Sequence, residues 1–221
     1  MCADRRVVTL PRVPDRLVQG IVLTDDLERE GEHFRDAGFF VEPGGRHPGR
    51  GTENLIVPFA GQYLEILAVV DRAEAAGSPQ GQPVLAALAR RGPGLARWSV
   101  EPDDIVATGE RLGLDVEHRE RTRPDGRRVR WRSVGVDESW PEPWRCAYMS
   151  WDDPALHPGA TGADHPNGAR GLGALEVVVP DVAGARAWLG GEPPAGVRFV
   201  DAGAVDLRLT VPTSARPIMF S

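Results

Sequence analysis

The spacing of apolar and polar residues along this chain switches between two periods, and the switches recur. β-Branched and apolar runs such as Ile21 to Leu23 and Val177 to Val179 favour extended strands. Behind such runs, apolar residues at Leu27 and Phe34, or at Ile105 and Leu112, leave one face of a short helix to pack on a sheet. Three segments share this order: LVQGIVLTDDLEREGEHFRDAGFFV from Leu17, LARWSVEPDDIVATGERLGLDV from Leu95 and LGALEVVVPDVAGARAWLGG from Leu172. Asp26, Asp104 and Asp181 open the three helices, 78 and then 77 positions apart. A carboxylate there accepts from the free N–H groups of the first turn and opposes the helix dipole. Gly38, Gly113 and Gly190 stand where a left-handed C-cap is needed. So regular a spacing marks an internal repeat.

After each helix the pattern turns to strands. Thr52 to Phe59 and Gln62 to Val69 form a hairpin around Ala60-Gly61, and Asp115 to Arg121 and Arg128 to Val134 flank the turn Arg123-Pro124-Asp125-Gly126. Cys146 to Trp151 supplies a further strand, and Val197 to Val200 and Val205 to Val211 close the third copy. The fold class is therefore α+β, with repeated βαβββ modules, two full and a truncated third. The division runs 1–16 as an N-terminal extension, 17–70 as module one, and 71–93 as a linker with a short helix at Val84 to Arg90. Module two spans 94–152, a connection 153–170, the truncated module 171–215 and a C-terminal tail 216–221.

This order, with the motifs GGRHPGRGTENLIVPF, QYLEIL, RPDGRRVRW and HPNGAR, resembles the glyoxalase-like branch of the vicinal-oxygen-chelate superfamily from about Leu17 to Val211. The resemblance implies two modules that curve a mixed sheet around a small-molecule cavity, with helices outside. It also implies a divalent metal held by a first-strand residue and a fourth-strand Glu of each module, where it stabilises charge on two vicinal substrate oxygens. Carried onto this chain, those positions fall on Gln19 and Glu65 in module one, and on Arg97 and a residue near Tyr148 or Ser150 in module two. In the third copy they fall on Ala174 and Arg208. Glu65 matches the pattern and Gln19 is an accepted substitute. Arg97 has no lone pair to offer a cation and stays charged. The expectation is a site without metal ligands and without a cofactor, in which Arg97 supplies the positive charge and faces Glu65 or an anionic substrate oxygen; a divalent metal is the alternative.

Other residues have a functional and a plain reading. His47, in Arg46-His47-Pro48-Gly49-Arg50-Gly51-Thr52, is either an acid/base group or part of a Gly-rich turn. By strand alternation Thr52 and Asn54 share a face and suit a cavity wall beside Glu65. Trp131, between Arg130 and Arg132, either stacks on a ligand or belongs to the core. Tyr148 and His165 are further ligand-binding candidates, His165 having a structural use in the connection as its plainer reading. Trp140-Pro141-Glu142-Pro143-Trp144 forms a lid or a homodimer contact.

Composition narrows the classes. A net charge of −6 argues against nucleic acid as a partner. No run approaches a membrane span, and the N-terminus around Asp4 to Arg6 is not of signal-peptide type, so a bacterial cytoplasmic location is expected. The two cysteines, Cys2 and Cys146, make no disulfide or zinc framework. All 26 basic residues are Arg, which excludes Lys Schiff-base, pyridoxal-phosphate and Walker-type phosphate chemistry. Three functions remain: a lyase or isomerase with Glu65 as base and Arg97 or Gln19 at an oxyanion, a non-catalytic binder of bleomycin-resistance type using the six Trp, and an interaction module with a vestigial pocket.

Overall fold

A computed structural model describes residues 15–122 and 126–221. The turn expected at Arg123 to Gly126 therefore lies largely outside the described residues, as do Cys2 and the charged N-terminus. Module one contributes β1 (Arg16–Thr24), α1 (Leu27–Asp36), β2 (Glu42–His47), β3 (Thr52–Phe59) and β4 (Gln62–Val69). Two helices follow, α2 (Arg72–Ala76) and α3 (Gly81–Arg91). Module two contributes β5 (Gly94–Glu101), α4 (Ile105–Leu112), β6 (Glu117–Thr122), β7 (Arg128–Val134), α5 (Val136–Ser139) and β8 (Ala147–Trp151). The remainder forms β9 (Leu175–Val179), α6 (Val182–Leu189), β10 (Val197–Asp201), β11 (Asp206–Val211) and β12 (Ile218–Phe220).

The three repeated helices start as their sequences dictate. Asp26 accepts from the Arg29 amide, Asp104 from those of Val106 and Ala107, and Asp181 from that of Gly184. Gly113 and Gly190 adopt left-handed C-cap conformations, and Gly38, one residue past the α1 cap, also has positive φ. Three elements lacked a legible pattern. Glu42–His47, read as the approach to the next strand, pairs as β2 with a register shift between Pro43 and Gly45. Arg72–Ala76 adds a helix to the linker, and Ile218–Phe220 of the tail pairs with β11.

Eight strands form one sheet in the order β2-β3-β4-β1-β5-β8-β7-β6, so the modules meet at the antiparallel pair β1–β5 as pseudo-symmetric halves. The other four form a sheet in the order β10-β9-β11-β12, in which β9 and β10 are direct parallel neighbours. That wiring differs from the first two modules, where the first strand lies beside the last.

The smaller sheet covers one face of the larger. Leu175, Val177, Leu207, Leu209 and Val211 share a core with Leu17, Val22, Leu64, Leu95 and Trp98. Gly20 of β1 permits this approach: a Cβ there would stand 3.0 Å from Leu64 Cδ2 and 3.1 Å from Leu209 Cδ2. Phe220 stacks on Phe34 of α1 with centroids 5.1 Å apart, and the Leu95 amide donates to the Ser221 carbonyl, which fixes the last strand to the central one. The opposite face curves inward. One end is packed by Ile21, Leu23, Leu67, Val84, Leu88 and Trp140 beneath α2 and α3, the other by Val18, Tyr63, Val129, Met149 and Trp151.

Because Leu209 joins the two sheets, Leu209→Ala is expected to destabilise the protein by about 2–5 kcal/mol in a single cooperative urea transition. A biphasic transition would show instead that the small sheet unfolds independently.

Candidate functional site

The inward face encloses a cavity of about 430 Å³ between those two apolar ends, a size suited to a small metabolite. Strand alternation brings Gln19 from β1, Thr52 and Asn54 from β3, Tyr63 and Glu65 from β4, and Arg97 from β5 to its wall, together with Trp131 and Ser133 from β7 and Met149 and Trp151 from β8. Seven of the expected site residues thus converge: Gln19, His47, Thr52, Asn54, Glu65, Arg97 and Trp131.

A directed chain of hydrogen bonds runs across four strands. The Ser99 hydroxyl donates to Gln19 Oε1 (2.6 Å), Gln19 Nε2 donates to Glu65 Oε2 (2.5 Å), and Asn54 Nδ2 donates to Glu65 Oε1 (2.5 Å). An ionised carboxylate only accepts, so Gln19 must turn its amide nitrogen to Glu65, and its oxygen then requires a donor from Ser99. Each carboxylate oxygen retains a lone pair for something else. Gly44 of β2 leaves room for Asn54, since a Cβ there would fall 2.1 Å from Asn54 Oδ1.

Arg97 is the second pole. Ile21 is the register partner of Glu65 on β4 and of Arg97 on β5, so the two residues flank β1 at one level, with Cα atoms about 10 Å apart by two strand spacings. Arg97 is only 5% exposed, and its Nε is buried without a hydrogen-bond partner. No carboxylate lies within ion-pair distance of it among the described residues; its guanidinium carbon instead sits 4.8 Å from the Trp140 ring centroid. Burial pulls its pKa below the ordinary value, against the opposing pull of Glu65. The expected direct pair with Glu65 is therefore not formed, because the amides of Gln19 and Asn54 already hold that carboxylate.

His47 ends β2 at the cavity mouth. Its Nδ1 lies 2.9 Å from Thr52 Oγ1, and Arg121 Nη1 lies 3.5 Å from its Nε2. A guanidinium only donates, which assigns the Nδ1–H tautomer, donating to Thr52. Burial, reinforced by Arg121 and Arg50 and opposed by Glu65, lowers the His47 pKa to about 4, so the ring is neutral at pH 7.

Two expected residues lie elsewhere. Tyr148 faces the other side of β8, where its hydroxyl donates to the Trp188 carbonyl on α6; the neighbouring residue that lines the cavity is Met149. His165 joins the inter-module connection to the main sheet, accepting from the Phe40 amide at Nδ1 and reaching the Pro58 carbonyl from Nε2. Of the Trp-Pro stretch, Trp140 is buried under Arg97, and Trp144 packs edge-on against Trp188.

Sequence reasoning left out Tyr63, Ser99, Arg119, Arg121, Met149 and Trp151. A period-2 signal was present for all of them: Tyr63 and Ser99 lie two positions from Glu65 and Arg97, Arg119 and Arg121 share one face of β6, and Met149 and Trp151 share one face of β8. His157 carried no such signal. It packs edge-on against Trp151, 4.1 Å between centroids, and burial lowers its pKa to about 4.

A sequence profile for the glyoxalase-like domain matches residues 20–191. The chain belongs to the glyoxalase-like domain family. A hypothetical protein from Staphylococcus aureus is similar in structure, with 16% identity, a TM-score of 0.61, and coverage of 93% of this chain and 84% of its own. Methylmalonyl-CoA epimerase from Mycobacterium tuberculosis matches 61% of this chain and 85% of its own, at 16% identity and a TM-score of 0.42. A Streptomyces coelicolor methylmalonyl-CoA epimerase in complex with 2-nitronate-propionyl-CoA matches 64% and 96%, at 18% identity and 0.46. At such identities the likeness is one of fold. No curated protein matches significantly.

As a member of the vicinal-oxygen-chelate superfamily the glyoxalase-like protein presents Gln19, Glu65, Arg97 and Met149 on the cavity wall around the positions that resemblance assigns to a metal. One carboxylate, one amide, one thioether and a fixed cation do not fit a divalent ion. Among the described residues no three His, Cys, Asp or Glu side chains converge as metal ligands. Arg208 of the third copy pairs with Asp206, and more distantly with Glu176. No helix among the described residues is long and apolar enough to cross a membrane.

The lowered pKa values of His47 and His157 have a thermodynamic consequence. Between pH 4 and pH 6.5 the unfolded chain binds protons at these rings that the folded chain refuses, so stability is full above about pH 6.5 and falls as pH drops toward 4. Proton-detected NMR is expected to give a His47 midpoint near 4. A midpoint near 6.5 would mean that the ring is open to water.

Proposed function

We propose that this glyoxalase-like protein binds a small anionic, oxygen-rich or aromatic metabolite in a metal-free cavity and acts on it as an isomerase or lyase through proton transfer. The observation that carries this reading is the buried Arg97 guanidinium, whose Nε lacks a partner, set across one strand from a carboxylate oriented by two amides. A free protein keeps such a cation desolvated at a cost, and an anionic ligand oxygen relieves it.

In this reading the ligand's carboxylate or carbonyl oxygen faces Arg97 and an adjacent C–H faces Glu65. Glu65 takes the proton through a lone pair that Gln19 and Asn54 leave unused. The negative charge gathering on the ligand oxygen is met by the guanidinium, whose donors are in place before the reaction starts. Returning the proton to another position, or expelling a leaving group, completes an isomerisation or an elimination. Neutral His47 at the mouth is able to accept a second proton.

A second reading, sequestration without catalysis, draws on the aromatic wall of Tyr63, Trp131, Trp140 and Trp151, which suits stacking of a planar ligand. The two readings part on Glu65.

Arg97→Met is expected to keep or raise the stability of the free protein by about 1–3 kcal/mol, the scale of an unmatched buried polar group, while losing at least tenfold in affinity for small carboxylates. Calorimetry and thermal unfolding read both effects; undiminished carboxylate binding would overturn the role given to Arg97. Glu65→Gln is expected to retain binding yet slow solvent-deuterium exchange at the activated carbon of a bound carbonyl acid by about 10²-fold or more. A wild-type protein that binds such acids and exchanges none of their protons would establish the sequestration reading instead.

A further inference from the structure

The cavity has a second cationic pole that the chemistry at Glu65 does not use. Arg50, from the turn between β2 and β3, lines the mouth half-buried, and among the described residues its guanidinium has neither an ion pair nor a hydrogen bond. Arg121 of β6 reaches the same mouth, where among the described residues its side chain meets the His47 ring and no carboxylate. Arg119, two residues earlier on the same face of β6, joins them but already holds Glu117. Burial lowers the pKa of Arg50, and repulsion from Arg119 and Arg121 adds to that against the opposing pull of Glu65. β2 and β6 are the two edges of the eight-stranded sheet, and they come together across the mouth at His47 and Arg121. The cluster therefore sits at the seam, whereas Arg97 rises from β5 at the centre of the sheet.

Like charges gathered from a turn and an edge strand, with no carboxylate paired to Arg50 or Arg121 among the described residues, make a standing site for an oxyanion. Aspartate or glutamate placed beside them would have removed the strain in the free protein. The neutral state of His47 keeps a further positive charge out of the cluster.

Building on the proton-transfer reading of the cavity, we infer that the ligand is a bis-anion, with one oxyanion seated on Arg97 and a second, a carboxylate or a phosphate, clasped at the mouth by Arg50 and Arg121. Such a ligand places its reactive carbon between the poles, beside Glu65, and enters with its second anionic group trailing. The substrate class is then a short carbonyl or hydroxy acid bearing a second carboxylate or a phosphoryl group.

The test uses probes for each pole separately. Inorganic phosphate is expected to raise the melting temperature of the wild type and of Arg97→Met alike, relative to chloride at equal ionic strength. Arg50→Gln/Arg121→Gln is expected to lose that shift, and Arg50→Lys/Arg121→Lys to regain part of it. By calorimetry, α,ω-dicarboxylates or phosphorylated monocarboxylates are expected to bind the wild type at least about tenfold tighter than monocarboxylates of equal length, an advantage that disappears in the double Gln variant. Whichever of the two series binds tighter names the second group. A phosphate shift that survives in the double Gln variant, or no advantage of any bis-anion over its monoanion, overturns the mouth site. If monocarboxylate binding still depends on Arg97, the proton-transfer reading stands without it; if no carboxylate binds at all, both fall.

Discussion

A guanidinium taken out of water costs several kcal/mol unless something negative is brought against it, and Arg97 imposes that cost at the centre of this fold. The nearest candidate for neutralising it, Glu65, is prevented from doing so. Gln19 and Asn54 each donate to one of its oxygens, and Ser99 in turn fixes the orientation of Gln19. Those residues come from β1, β3 and β5, so the spacing between carboxylate and cation is set by backbone register rather than by side-chain choice. The smaller sheet contributes from the opposite face. Leu209 presses against Gly20, between Gln19 and Ile21, and the last strand is bonded beside Leu95, two residues before Arg97. Stability from apolar packing on one face thus holds an electrostatically unfavourable arrangement on the other, as expected where a site is organised for a ligand rather than for its own rest state.

Much of the architecture was legible because it rests on local rules. The Asp caps, the Gly stops and the β-branched runs are each decided within a few residues, and their repetition at near-constant spacing exposed the modules. What escaped depended on partners distant in sequence. Glu42–His47 has no β-branched residue and two consecutive glycines, and it is a strand only because β3 offers it an edge. Ile218–Phe220 is likewise too short to read alone and exists through β11, Phe34 and Leu95.

The site was legible to the extent that strand alternation carries it. Gln19, Thr52, Asn54, Glu65 and Arg97 follow from knowing which face of each strand looks inward, and the same rule would have given Ser99, Arg119 and Trp151. It failed at β8, where the choice between Tyr148 and Met149 turns on a one-residue phase, and the wrong phase selects every side chain of the opposite face. The sequence contains no mark that Arg97 rests on Trp140 rather than Glu65, because that outcome is settled by a competition between donors on three strands.

An arginine where the resemblance to vicinal-oxygen-chelate proteins implies a metal ligand bears on which chemistry the proposed site is able to support. A guanidinium brings positive charge and directional donors, and it meets charge building on a carbonyl or carboxylate oxygen much as a cation would. It has no vacant orbital with which to bind a water and lower its pKa, so it supplies no hydroxide nucleophile. In the proposed reading, a pocket with Arg97 in place of a metal and Glu65 kept suits reactions that need only a proton moved beside a stabilised oxyanion better than those that need an activated water. The amides of Gln19 and Asn54, which hold both oxygens of Glu65, fit that proposed division of labour, aiming the carboxylate at a fixed point and leaving a ligand oxygen to the arginine across the strand.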